Sequence, residues 1–405
     1  MKINLQKSNV TFLYAMTLIF VAAFPINFSN FTITIYSSTA ASLIFLLLFN
    51  YKHLRIHSND LLLISLILIY TFYLTINAMI IDPSKLIYAL QKSLPFYVFI
   101  LLIITFKKNI KAILLVQKII GYSLIFCMLS ALLLFFLGFS NIYLSSKTII
   151  SLISNQYYLD VFGETRLQFM STHKSRFGVL CIFSLIIILK HQNLNKIFKL
   201  LIIVVIMVNL YFSSSYTSLL LAACVLFFCI FNYLKSTKSI NKYTKLIMFK
   251  FFLIMLFSLI LLFFNFGNSK GKDFSNMGDR LYIWQASIYQ ICNNPWGIVT
   301  VDNNFYFKNP DRNLDLKSAH NIILNEGIES GLLGMFMLSI IFLLIFKKLR
   351  KDRLLFLGTL VVFLAGMFDI ILYENMNYIF WYLIAYFYIL SEKSNVGYYN
   401  SLKNI

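Results

Sequence analysis

The chain has 405 residues, of which 60% are hydrophobic and only 12% are charged, and its mean hydropathy is +0.78. Soluble domains carry about 25% charged residues, so this composition excludes a soluble globular protein and indicates a polytopic membrane protein. The formal net charge of +20 does not indicate nucleic-acid binding, because the Lys and Arg lie in short segments between apolar runs, where they set membrane topology.

Apolar runs long enough to cross a membrane recur along the chain. A hydrocarbon core of about 30 Å needs roughly 20 helical residues, which predicts an all-α polytopic fold with about twelve transmembrane helices in one integral membrane domain, 1–405. The predicted spans are 11–29, 31–49, 61–81, 86–106, 119–139, 176–190, 197–213, 216–234, 247–267, 331–346, 354–372 and 377–391. The span 86–106 contains Lys92 and Pro95, and 176–190 is short.

Lys and Arg are concentrated in every second loop between these spans, with examples at Lys107, Lys190 and Lys348. The positive-inside rule places such loops, and with them both termini, in the cytoplasm. The two long loops, 140–175 and 268–330, then face outward and contain most of the Asp and Glu. This arrangement suits a bacterial inner membrane with a periplasmic face.

Charged residues inside or at the edge of the spans are functional candidates, because a charge is costly to bury in lipid. They are Lys92, Asp369 and Glu374. The alternative is that each side chain reaches the interface or is paired within the protein.

The first long loop ends with 163-GETRLQFMSTHKSRFGVL-180. Arg166, Lys174 and Arg176 lie close to His173 just before a span. Guanidinium and ammonium groups at a membrane surface suit a substrate phosphate. Anchoring to lipid headgroups is the alternative.

The second long loop contains 278-GDRLYIWQASIYQICNNPWGIVTVDNNF-305. Leu281, Trp284, Ile288 and the Ile291–Cys292 pair recur at helical spacing, which predicts an amphipathic helix on the outer leaflet. Asp279 is its expected N-cap, and 293–297 is expected to end it, with a tight turn at Gly297. Arg280 is a second cationic candidate, with a surface role near headgroups as the alternative.

The segment 318-SAHNIILNEGIESGLLGMF-336 is polar just before an apolar run. We expect residues 318–325 to begin a helix that enters the membrane near 331. His320, Asn321, Asn325 and Glu326 then lie at its outer end. His320 and His173 are the two outward histidines, and an imidazole can accept a proton from a sugar hydroxyl near neutral pH.

Several catalytic motifs are missing from the sequence. It contains no Walker A loop, no H-E-x-x-H, no paired cysteines in a metal-binding pattern and no G-x-S-x-G. An ATP-driven pump, a metalloprotease and a metal-dependent transferase are therefore disfavoured, and we expect no cofactor and no metal.

Four blocks resemble the O-antigen ligase and polysaccharide polymerase superfamily of bacterial inner-membrane glycosyltransferases. They are Arg166 with 172-THKSRFG-178; 213-SSSYTSLLLA-222; Arg280 with Trp284, Pro295 and Gly297; and 319-AHNIILNEGIESGLLG-334. The sequence departs from the family pattern at Tyr216, where many members have Arg or Lys, and at Ser175, where Asn is usual. The departure at Tyr216 leaves one cationic contact to the lipid pyrophosphate in question.

The resemblance implies a GT-C-like, inverting, metal-independent glycosyltransferase of lipopolysaccharide or other polysaccharide biosynthesis. Its donor would be a glycan on undecaprenyl pyrophosphate. His320 would be the general base, and Arg280 and Arg166 would neutralise the leaving pyrophosphate. The residues expected to bind substrate are His173, Lys174, Arg176, Trp284, Asn321, Glu326 and Tyr216.

Two acceptors are compatible with this chemistry. The sugar end of another lipid-linked unit would make the protein a polymerase, which we favour because its blocks look closer to polymerases and its second loop is short. The lipid A core would make it a ligase. A lipid-linked oligosaccharide flippase and a non-catalytic scaffold are the alternatives from other classes, and a chain-length regulator is a candidate partner.

Overall fold

A computed structural model describes residues 26–27, 56–106, 110–145, 151–169, 171, 173–191, 194–236, 250, 280–298, 307–308, 315–316, 318–369 and 374–393. The predicted spans 31–49 and 247–267 lie outside this part, apart from residue 250, as does 11–29 apart from residues 26–27. The predicted N-cap Asp279 is outside it too.

The described part is mostly helical, as the apolar runs predict. Its α-helices are α1 (Ser58–Ile81), α2 (Leu86–Phe106), α3 (Ile110–Phe136), α4 (Asn155–Phe162), α5 (Lys174–Lys190), α6 (Lys196–Phe212), α7 (Tyr216–Ser236), α8 (Arg280–Asn293), α9 (Ile322–Leu349), α10 (Arg353–Phe368) and α11 (Glu374–Lys393). A short 3₁₀ turn, Pro83–Lys85, precedes α2.

Within the described residues, four segments are long and apolar enough to cross a membrane: Ser58–Ile81, Pro83–Thr105, Lys118–Phe136 and Ile322–Leu349. Shorter apolar helices are Tyr216–Asn232, Arg353–Phe368 and Ile379–Glu392. A helical membrane protein is thereby supported, while the total of twelve spans stays a prediction. Helix α2 continues through Pro95.

The expectation of an all-α chain was wrong in the first long loop. Strands β2 (Phe139–Ser145) and β3 (Ser151–Ser154) form an antiparallel pair, and β1 (Ile26–Asn27), within the predicted span 11–29, pairs in parallel with β2. Strands β4 (Phe307–Lys308) and β5 (Asp315–Leu316) form a second small pair. Pairing satisfies the backbone N–H and C=O groups of a loop that otherwise lacks partners.

Helix α5 is the centre of the described bundle. Every residue from Ser175 to Ile188 is buried, as expected for a helix enclosed on all sides. It packs against α3, α6, α7 and α10. At Gly178 an added Cβ would lie 2.4 Å from Ser218 Oγ and 2.7 Å from Ser215 Oγ, so glycine is what allows α5 and α7 to approach.

Ion pairs distinguish the two ends of the bundle. At one end Lys190, the last residue of α5, pairs with Asp352, the N-cap of α10. At the same end Lys348 of α9 pairs with Glu392 and lies 3.6 Å from Asp60. The opposite ends of α5, α9 and α10 therefore meet at the other side, and this is where the candidate site lies.

Helix α9 is interrupted at Gly331, whose φ of 72° and ψ of −174° are not helical. The turn after α8 fits into this break: Leu332 N–H donates to Pro295 O at 2.9 Å, and Ile298 N–H donates to Ile328 O at 3.1 Å. A Cβ on Gly331 would lie 2.3 Å from Pro295 O. The turn that ends α8 and the segment near 331, where the sequence predicted entry into the membrane, thus contact each other directly.

Candidate active site

Asp369 lies directly after α10 and links three elements. Its Oδ1 is 3.5 Å from His320 Nδ1, and its Oδ2 accepts a hydrogen bond from Ser175 Oγ at the start of α5. The side chains of His320 and Asp369 are 29% and 16% exposed. Because Nδ1 of His320 is buried, the exposure of the ring is at its other atoms, where Nε2 can meet a substrate.

The backbone of His320 is held in a left-handed conformation with a φ of 50°. Such backbone is uncommon outside glycine and is found at functional sites. His320 N–H donates to Ser318 Oγ at 3.1 Å, and Asn325 Oδ1 accepts from Ala319 N–H at 2.7 Å. Asn321 caps α9 by accepting from Ile323 N–H at 2.9 Å. The residues around His320 therefore fix its position.

The surroundings of Asp369 favour its ionised form. Burial alone would raise its pKa, but the contact with His320, the hydrogen bond from Ser175 and the charge of Arg280 outweigh burial and hold the pKa well below its usual range. An ionised carboxylate facing Nδ1 favours the tautomer that leaves Nε2 free to accept a proton, as in hydrolase triads.

His173 is the N-cap of α5, and its Nδ1 accepts a hydrogen bond from Ser175 N–H at 3.3 Å. Burial lowers the pKa of His173 to about 4, although Asp369 opposes this shift. The ring is therefore neutral near pH 7. Because Nδ1 accepts, Nε2 carries the hydrogen and can only donate. A donor role fits this geometry and a cationic role does not.

Arg166 and Lys174 converge on one carboxylate, Glu164. Its Oε1 is 3.0 Å from Arg166 Nη2 and 2.8 Å from Lys174 Nζ, and the Glu164 side chain is 2% exposed. Arg176, in the first turn of α5, is itself buried. Two members of the predicted cationic group, Arg166 and Lys174, therefore come together on an anion that the sequence argument did not consider.

The loop that contains Arg166 is fastened on two sides. Ser214 Oγ donates to Thr165 O at 2.7 Å, and Leu167 N–H donates to Phe212 O at 3.0 Å. On the other side, Gln168 N–H donates to Ser140 O of β2 at 3.0 Å. The serine block before α7 thus positions this loop, and Tyr216 is the first residue of α7 beside it.

Arg280 begins α8 and is close enough to Asp369 for their charges to interact; burial lowers the pKa of Arg280, and Asp369 opposes that effect. Trp284, one turn later, has its ring centroid 5.8 Å from that of Phe368, the residue before Asp369. Its Nε1 is buried without a hydrogen-bond partner among the described residues. This donor is thus left unpaired by the described part of the chain.

The structure confirms the predicted helix as α8, but the residues of its apolar stripe are not all buried. Ile291 is 4% exposed and packs against α9, whereas Leu281 is 42% and Ile288 52% exposed. The exposed part of the stripe remains available to lipid.

Glu326 lies apart from the His320–Asp369 pair. Its Oε2 is 2.7 Å from Lys92 Nζ, and Glu329 Oε2 is 2.8 Å from the same atom. Lys92 is therefore paired within the protein, which was the alternative to a direct functional role. The expected contact of Glu326 with substrate finds no support in this geometry.

Three residues that complete the site were undervalued or missed. Asp369 was noted only as a charge at the edge of a span, Ser175 only as a departure from the family pattern, and Glu164 not at all. An acid beside Arg166 was the available signal for Glu164. In the described ranges, His, Cys, Asp and Glu side chains form no group of three that could hold a metal.

Residues 200–339 match the family model described as O-antigen ligase. This match confirms the resemblance to the O-antigen ligase and polymerase superfamily over that segment of the chain. The matched segment contains Arg280, Trp284 and His320, while Arg166, His173 and Asp369 fall outside it. No curated protein and no solved structure matches the chain.

Proposed function

We propose that the protein is a glycosyltransferase that transfers a glycan from a polyprenyl pyrophosphate, of the undecaprenyl type, to a sugar hydroxyl at the outer face of a bacterial inner membrane. The observation that carries this proposal is the His320–Asp369 pair on the same end of the bundle as the cations of α5 and α8. The basic ends of α5 and α9 lie at the opposite end, which supports an outward site by the positive-inside rule.

The proposed reaction breaks the bond between the anomeric carbon and the pyrophosphate oxygen and forms a glycosidic bond to the acceptor oxygen. His320 Nε2 accepts the proton of the acceptor hydroxyl, and Asp369 stabilises the resulting imidazolium through Nδ1. General-base catalysis of this kind contributes about 10²–10⁴-fold. Attack from the side opposite the leaving group inverts the anomeric carbon and needs no metal.

The leaving pyrophosphate is bound by cations and donors of this chain. Arg280 and the Arg166–Lys174 pair neutralise charge that grows as the bond breaks, which can contribute several kcal/mol. The N-terminus of α5 adds its own partial positive charge, and the indole N–H of Trp284 and Nε2–H of His173 donate hydrogen bonds. Tyr216 can add a phenolic hydroxyl where many relatives have a cation.

Of the two acceptors, we propose the sugar end of another lipid-linked unit, which makes the protein a surface-polysaccharide polymerase. Transfer to the lipid A core, as in a ligase, is the second candidate within the same chemistry, and the family match is compatible with both. A chain-length regulator would be a partner of the polymerase.

The experiment is a surface-polysaccharide ladder from a deletion strain that expresses the wild-type protein or His320→Ala at matched membrane levels. Deletion is expected to leave lipid A core with a single repeat unit. Bare core with accumulated long lipid-linked chains would instead indicate a ligase. A normal ladder from His320→Ala would contradict the general-base role. Loss of polymer with lipid-linked units trapped on the cytoplasmic side would indicate a flippase.

A further inference from the structure

Lys92 lies on α2 and joins this helix to the first part of α9. Its Nζ is 2.7 Å from Glu326 Oε2 and 2.8 Å from Glu329 Oε2, and it donates to Ser330 Oγ at 3.2 Å. The side chains of Lys92 and Glu326 are only 14% and 6% exposed. One ammonium group therefore compensates two carboxylates in surroundings that water reaches poorly.

The part of α9 that Lys92 contacts is separated from the rest of the helix by a break in the helical backbone. The non-helical backbone of Gly331 ends a short helix that runs from Ile322 to Ser330. Helices of this length are not stable alone, so contacts with other elements must set its direction. His320 directly precedes its cap, Asn321, and the direction of this short helix therefore sets where the imidazole lies relative to Asp369.

Contacts from two sides hold the short helix. On one side the turn after α8 binds its backbone, and Asn77 of α1 in turn donates from Nδ2 to Trp296 O at 2.9 Å. On the other side Tyr73 donates to Ser330 O at 2.6 Å and Tyr88 donates to Glu329 Oε2 at 3.3 Å. Lys92 contacts Glu326, Glu329 and Ser330.

Removal of the ammonium group would leave the buried carboxylate of Glu326 and the partly exposed carboxylate of Glu329 without their shared cation. Such groups are costly until they are protonated or reach water, and the short helix can move toward water by rotating about Gly331. A displacement of about 1 Å at a catalytic group can lower a rate on the order of 10²-fold.

We infer that Lys92 is a positioning residue for the transfer reaction: by binding Glu326 and Glu329 it fixes the short helix, and through it His320, against Asp369. This inference rests on the proposed function. It gives Glu326 a role in holding the base, in place of the substrate contact that the sequence suggested.

The test compares Lys92→Met with Lys348→Met. Lys348 is also nearly buried, at 11% side-chain exposure, and it also pairs with two carboxylates on neighbouring helices, but it lies at the far end of α9. Each purified variant is assayed with lipid-linked glycan extracted from the deletion strain, and its thermal unfolding is followed in the same detergent. We expect both variants to lose similar stability.

The expected difference is in turnover. Lys92→Met should lower kcat by about 10- to 100-fold with an unchanged KM for the lipid-linked donor, and Lys348→Met should keep kcat within about twofold. Lys92→Arg, which keeps the charge, should recover part of the loss. Equal kcat for Lys92→Met and Lys348→Met would overturn the inference.

A double-mutant cycle tests whether Lys92 acts through His320. In a His320→Ala background, Lys92→Met should lower the residual rate by less than about threefold, because the group that it positions is gone. A full, multiplicative loss would mean that Lys92 acts independently of His320 and would also overturn the inference. Full activity of His320→Ala alone would instead refute the proposed general base, whatever Lys92→Met does.

Discussion

Asp369→Asn tests the electrostatic core of the candidate site with little change in shape. The substitution keeps a hydrogen-bonding group beside Ser175 and His320 but removes the negative charge that faces Nδ1. If His320 is the base, an imidazolium forms at the transition state, and the lost carboxylate no longer stabilises it. Turnover should fall while the protein stays folded.

The separation of the two side chains sets the magnitude. Two unit charges 3.5 Å apart interact by about 5 kcal/mol at an effective dielectric constant of about 20. Both side chains are partly exposed, so water reduces this to about 2–3 kcal/mol, which corresponds to a loss of kcat on the order of 10²-fold. Because Asp369 acts through His320, its loss cannot exceed that of His320→Ala.

The assay is turnover of lipid-linked glycan by purified protein, with Asp352→Asn as the matched control. Asp352 lies at the other end of the same helix, α10, where it pairs with Lys190 and caps the helix. Asn is also a good N-cap, so this control should lose an ion pair and keep its kcat. Refutation would be a normal kcat for Asp369→Asn, or a loss larger than that of His320→Ala.

Three further predictions concern stability and donor binding. The pKa of His173 is about 4 in the folded protein, against an ordinary value of 6.5, so below pH 6.5 the unfolded chain binds a proton that the folded protein does not bind. The free energy of unfolding should therefore fall by ~2 kcal/mol at pH 5. In thermal unfolding measured against pH, His173→Gln should make this decline smaller. Gly331→Ala should unfold at clearly lower temperature than Gly138→Ala, since both have positive φ but only Gly331 has backbone within 3 Å of the added Cβ. Glu164→Gln should raise the donor KM several-fold with little change in kcat, as Arg166 and Lys174 lose their fixed geometry; a lower KM would mean that Glu164 competes with the donor.

Local features of the fold were accessible to sequence reasoning. Helical periodicity and the cluster at 293–297 predicted α8 and its end, and the polar segment before 331 predicted the start of α9. These features depend on near neighbours in the chain. The pairing of β2 with β3 was missed because short segments that mix apolar and polar residues have no clear periodicity, so their sequence does not distinguish a loop from short strands.

Long-range pairings were not accessible in the same way. Lys92 and Glu326 belong to spans far apart in sequence, and His320 meets Asp369 only because α9 and α10 are antiparallel and end at the same level. Burial cost indicates that each charge needs a partner or a function, but not which partner it has. Only the packing of the helices decides that.

The charges at the start of α5 are arranged against local helix preference, and this is the strongest physical argument for an anionic substrate. The N-terminus of a helix is partially positive and favours acids, by about 0.3–1 kcal/mol for each charge. Helix α5 has no acid in its first turn and instead has Lys174 and Arg176 there. The counter-charges come from elsewhere: Glu164 from the preceding loop and Asp369 from α10. A helix whose only role was to fill the centre of a bundle would gain stability from neutral or acidic residues at these positions. The arrangement keeps positive charge and a helix terminus together beside a base, and an enzyme that displaces pyrophosphate from a sugar needs these groups at one place.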